Sequence, residues 1–155
     1  VGLGKLASEQ GDQDLAIRHW SRVAMTAEDV RERQLADLEA ARAAYAAGRA
    51  ADVNAHLDRA RSAPLDDITA IQLDTVEAET LLWIEHQTAQ GAEAAQRAVA
   101  RGRELAAPAG GIGGLPPGTR AALMAALGAA SDQRLSVRAK RQGVHRRQVA
   151  VGSRD

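Results

Sequence analysis

Four histidines, His19, His56, His86 and His145, are the side chains of this chain best suited to metal binding or proton transfer. They lie on separate stretches at no metal-ligand spacing, and the absence of cysteine excludes thiolate zinc sites, cysteine nucleophiles and disulfides. Asp52 and His56 stand four apart and would share a helix face, but two ligands do not make a site. The carboxylate pairs Asp66/Asp67 and Glu77/Glu79 read as charge at a helix start and on a solvated face. A serine nucleophile needs a strained turn to present it, and no Ser–His–Asp order can be argued without one. Residues 113–120 (GGLPPGTR) space two glycines before Thr119 like a phosphate-binding loop. They lack its lysine, Pro116 and Pro117 remove two N–H donors, and no strand precedes them. Residues 80–85 (TLLWIE) imitate an apolar strand ending in an acid, yet sit inside a long helical pattern. No catalytic, cofactor-binding or metal-binding residue is assigned, and the chain is expected not to be an enzyme.

The elements that carry these residues are expected to be helices. Alanine dominates the apolar residues, while there is no Phe, one Tyr (Tyr45) and two Trp (Trp20 and Trp83). Alanine is the best helix former and a poor strand former, so the composition favours helix. Each buried methyl contributes less than a buried Leu or Val, so stability must be spread over many helix contacts. No apolar run approaches the roughly 18 residues of a spanning helix. A signal-peptide pattern is also missing at the start of the sequence, and a cytoplasmic location is expected. Eighteen arginines against two lysines point to a GC-rich bacterial source, and an opening Val1 fits a piece of a longer protein.

Helix signals recur along the chain. A first helix is predicted to stop at Gly11, and Asp12 caps a second with Ala16, Ile17, Trp20, Val23 and Ala24 on one stripe. A long helix over 27–47 stops at Gly48, and a shorter one carrying Val53, Leu57 and Ala60 is broken by Pro64. Asp66 or Asp67 caps a third long helix, which is predicted to end near Gly91, with its partner over 92–107. Glycines 11, 48 and 91 thus punctuate three antiparallel hairpins, with spacings of 37 and 43. The expected fold is all-α, a stack of about three helix hairpins plus one short helix. The expected organisation is a helical array over 1–107, a flexible Gly/Pro-rich linker over 108–118, a short helix over 119–130, and a basic, flexible tail over 131–155.

Leu3-Gly4, Gly11-Asp12, Ala16-Ile17 and Trp20 sit at the mutual spacings of the tetratricopeptide repeat, and the first hairpin resembles that family. The second keeps Gly48 and Ala60 but has Val53 and Leu57 where Ala and an aromatic are usual; the third matches in outline. In such repeats small residues let paired helices touch, and the aromatic wedges between repeats. Leu3, Gly4, Gly11, Ala16, Trp20, Gly48, Leu57 and Gly91 are the expected packing positions. Degenerate arrays of this kind also resemble the helical sensor region of bacterial signal-transduction ATPases and large LuxR-type transcriptional regulators.

The resemblance implies a non-catalytic scaffold that binds a protein, a peptide or another domain of its parent chain; the alternative is a sensor section of a larger regulator. In a curved stack the first helices line the concave face. Glu39, Arg42, Asp74 and Glu79 are therefore expected to be exposed there and to contact a partner, while Trp83, also on a long first helix, fits either the core or this groove, with the core preferred. Uncapped ends would favour self-association. Net charge is zero, but from Asp132 onward seven basic residues face two acids, leaving the rest acidic by five. The basic tail offers phosphate contacts, but it has no aromatic for stacking and no helix-turn-helix pattern.

Overall fold

The computed structural model describes residues 4, 9, 11–121, 123–125 and 127–128, which form helices and turns with no strand among them. Five helices follow Gly11: α1 (Gln13–Thr26), α2 (Val30–Ala46), α3 (Ala50–Ala60), α4 (Asp67–Glu79), which continues as a π-turn (Thr80–Ile84), and α5 (Thr88–Ala106). Gly4 and Glu9 are helical ahead of them, and residues 117–121, 123–125 and 127–128 are helical after them. Each helix packs on the next in the chain, and the long helices α2 and α4 also pack side by side.

Local chemistry sets the helix starts. Asp12, Asp29 and Asp66 are N-caps, each accepting a bond of 2.9 Å from the backbone N–H three residues on. Thr69 Oγ1 also donates to Asp66 at 2.8 Å. Burial works against the Asp66 carboxylate, but the two bonds from Thr69 and the nearby Arg31 guanidinium outweigh it and hold its pKa below the ordinary value.

The helix ends differ from the sequence expectation at one place. Gly11 and Gly48 take left-handed conformations (φ 80° and 72°) as helix stops should. The third stop is not Gly91 but His86, left-handed at φ 58°. Gly91 lies inside α5, where an added Cβ would come 2.5 Å from Leu82 Cγ. It is a point of close helix approach, and the chain needs a small residue there for packing rather than for turning. With this correction the stops at 11, 48 and 86 fall 37 and 38 residues apart, closer to a true repeat than the glycines suggested.

The main core joins α1 to α4 through Ile17, Trp20, Leu38, Val53, Leu57 and Leu73, with alanines filling the rest. Gly4 approaches α1 so closely that a Cβ on it would meet Trp20 Cε2 at 2.6 Å. A second cluster joins Ile71 of α4, Val99 of α5 and the fully buried Leu123. The segment 108–118, expected as a flexible linker, folds into 3-10 turns at Ala107–Ala109 and Ile112–Gly114 and seats Ile112 and Leu115 against this cluster. The helix after it begins at 117, with Pro116 O accepting from Arg120 N at 2.8 Å. Pro117 thus stands at the first helical position, where its missing N–H has no bond to lose. The basic tail over 131–155 and Leu3 lie outside the described residues.

Candidate binding face

Two aspartates 37 residues apart, Asp37 on α2 and Asp74 on α4, are almost fully buried. A buried carboxylate must be paired, and each is clasped by neighbouring helices. His56 Nδ1 lies 2.7 Å from Asp37 Oδ1, and Arg59 Nη2 donates to the same oxygen at 2.8 Å. Asp74 receives Arg61 of the α3 end at 3.0 Å and Arg101 of α5 at 3.1 Å. Glu77 takes Arg61 and Arg97 at 2.6 and 2.9 Å, so one ion cluster ties α3, α4 and α5 together. Asp74 was expected on the exposed face; at 4% exposure it is instead a structural anchor. The sequence carries a signal for this role: an aspartate recurring at the repeat spacing, with arginines on the following helix.

Ser21 Oγ is 3.3 Å from His56 Nε2, so a Ser21–His56–Asp37 chain does form. It joins α1, α3 and α2. Ser21 lies within α1, whose interior N–H groups are spent on helix bonds, so none beside it is left to stabilise an oxyanion. The arrangement acts as an interhelix tie. Asp52 turns away from His56 and pairs with Arg49 at 2.6 Å. His19 stacks edge-on to Trp20, its Nε2 buried without a hydrogen-bond partner. Among the described residues no three metal-ligating side chains come together, and no helix is long and apolar enough to cross a membrane. Arg120, of the loop-like 113–120 segment, donates its Nη1 back to Gly113 O at 3.3 Å, a contact internal to the turn.

What faces outward on the long helices is narrow. On α2 the positions from Gln34 to Ala44 are buried except Leu35, Glu39 and Arg42, which fall at i, i+4 and i+7 on one stripe. On α4 and its π-turn the less buried positions include Gln72, Glu79 and Trp83, which continue the same stripe at the 37-residue offset. Glu39 and Arg42 form a half-exposed ion pair. The two long helices pack side by side, and the partly buried Tyr45 has its pKa raised mainly by burial and further by the charge of Glu79. Trp83 is 42% exposed and so belongs to this face, the second of its two expected places, rather than to the preferred core. Three of the four expected contact residues, Glu39, Arg42 and Glu79, are thus brought onto one surface with Leu35 and Trp83, and Asp74 is not. No protein-family model, no curated protein and no solved structure matches the chain.

Proposed function

We propose that this chain is a non-catalytic, tetratricopeptide-like scaffold of the cytoplasm that binds a protein or peptide segment on the joined faces of α2 and α4. The supporting observation is the half-exposed Trp83 on a narrow stripe shared with Leu35 and the charged Glu39, Arg42 and Glu79. Large aromatics supply much of the energy in recognition surfaces. The close approach of Gly4 to Trp20 and the stops at Gly11 and Gly48 support the likeness to paired repeat helices. Leu35 and Trp83 would anchor apolar side chains, while Glu39, Arg42 and Glu79 would select register and charge.

Peptides selected from a random library against the folded chain test this reading. Their amide-shift footprints are expected on Leu35, Arg42, Glu79 and Trp83. The double substitution Arg42→Ala/Glu79→Ala should weaken them by about tenfold with little change in melting temperature, as for surface residues. Footprints elsewhere, or a melting temperature that falls with affinity, would sink the assignment of this face.

A further inference from the structure

A cavity of about 180 Å³ opens where α1 ends, α2 begins and α3 turns towards α4, with Ala24, Val30, Arg33, Asp37, Arg59 and Ala63 among its lining residues. Gln34 fixes the wall between α2 and α3. Its buried amide Nε2 donates to the carbonyls of Ala60, Ala63 and Pro64 at 3.2, 3.2 and 3.0 Å. Two guanidiniums border the space, and their situations differ. Arg59 sends Nε and Nη2 to Asp37 Oδ1 at 3.1 and 2.8 Å, so those two charges offset each other. Arg33 is half-buried, yet its Nη1 donates to main-chain carbonyls, Ala27 O at 3.1 Å and Glu28 O at 3.2 Å. No ion pair among the described residues includes Arg33.

A guanidinium drawn out of water without a counter-charge is unfavourable, and an anion beside it offsets that loss of solvation. A guanidinium carries five N–H donors in a planar fork, and the two carbonyl bonds of Arg33 engage Nη1 alone. The charged residues lining the cavity are Arg33, Arg59 and Asp37, a balance of one positive charge. That balance matches a monoanion better than a dianion such as phosphate. Ala24, Val30 and Ala63 make the rest of the wall apolar, suited to a hydrocarbon body. Size limits that body: a cavity of roughly 150 Å³ holds a six-carbon ring. We propose that this cavity is a site for a small free monocarboxylate of about four to six carbons. Its carboxylate lies on the Arg33 fork and its chain against Ala24, Val30 and Ala63. The site does not depend on the α2/α4 face, because Arg33 and Asp37 lie off the stripe of Leu35, Glu39 and Arg42.

Titration of the full chain with sodium butyrate and sodium hexanoate, followed by amide and arginine Nε–H shifts, provides the test. Saturable shifts are expected at Arg33, Gln34 and Ala63, with a Kd of about a millimolar for so few atoms. Butyramide, the neutral isostere, should bind about tenfold more weakly, and so should inorganic phosphate. Arg33→Gln should weaken butyrate about tenfold, and Arg33→Lys should restore part of that loss. Ala63→Leu fills the apolar wall and should weaken hexanoate more than acetate, which separates filling of the cavity from attraction to surface charge. A partner's glutamate side chain would offer the same carboxylate, and N-acetylglutamic acid α-amide stands in for it. That compound should bind about tenfold more weakly than butyrate, because the cavity has no room for a peptide main chain. Butyrate shifts that do not saturate, or that survive Arg33→Gln, would overturn the proposal. Butyramide, phosphate or the glutamate derivative binding as tightly as butyrate would overturn it too. These last comparisons use the unaltered chain, so they decide even where a variant loses its fold.

Discussion

The second hairpin, α2 with α3, and the third, α4 with α5, bury an aspartate at equivalent points but finish their first helices differently. Asp37 is held within its own hairpin by His56 and Arg59, whereas Asp74 is held from both sides, by Arg61 and Arg101. The second hairpin closes on a glycine after an unbroken α-helix; the third closes on His86 after a π-turn. The one residue that a π-turn adds leaves everything before it at an offset of 37 and shifts everything after it to 38. Val53, Leu57 and Ala60 of α3 accordingly map onto Gly91, Ala95 and Ala98 of α5, all buried. A one-residue insertion in a helix need not break a repeat. It can be absorbed in one wide turn, at the cost of rotating the side chains inside it.

The largest effect that probes this comparison is expected from Asp74→Ala, which leaves Arg61 and Arg101, with Arg97 3.8 Å away, facing a vacated, buried position. A loss of about 3 kcal/mol in denaturant unfolding is expected, the low end for a broken buried pair because the arginines remain partly in water. A loss below ~1 kcal/mol would show that the ion cluster does not tie the two hairpins together. Gly91→Ala comes next. Its methyl would press into the buried Leu82 side chain, so a loss of about 2 kcal/mol is expected, as for overpacking. The same substitution at the solvent-facing Gly48 should cost about 1 kcal/mol, through backbone conformation alone. Equal costs measured by thermal melts would mean that the approach of Gly91 to Leu82 is not tight. Deletion of Leu81, whose side chain packs partly buried against Ala78, Ala94 and Ala95, returns the third hairpin to the register of the second. Its signature is optical: Trp83 should move to the position of Tyr45, with blue-shifted emission and reduced acrylamide quenching. Unchanged quenching would disconnect the π-turn from the exposure of Trp83.

Much of the fold was legible because it depends on local chemistry. Asp12 and Asp66 as caps, Gly11 and Gly48 as stops, and the stripe through Ala16, Ile17 and Trp20 all report on single helices. The third stop was misplaced because two glycine uses look alike in sequence: Gly48 supplies a left-handed turn, while Gly91 supplies only the absence of a side chain beside Leu82. Histidine is an uncommon stop, so His86 gave no comparable signal. Three of the expected face residues fell on one surface because the helical period fixes which positions share a side. Asp74 and Trp83 each lie opposite to the place their polarity favours. Hydropathy sends the aromatic inward and the acid outward, and it says nothing of the arginines from α3 and α5 that make Asp74 burial tolerable.

The sequence by itself determined that the chain is helical, where most helices begin, and which residues could lie along one stripe, since these follow from propensity, capping and the 3.6-residue period. Only the tertiary structure decided which glycine turns the chain and which lets helices touch, and that the 108–118 segment packs. It alone paired Asp74 with its arginines and turned Trp83 outward. Those outcomes depend on what a neighbouring helix presents, and in the case of Trp83 on one extra residue whose effect is a rotation rather than a change in composition.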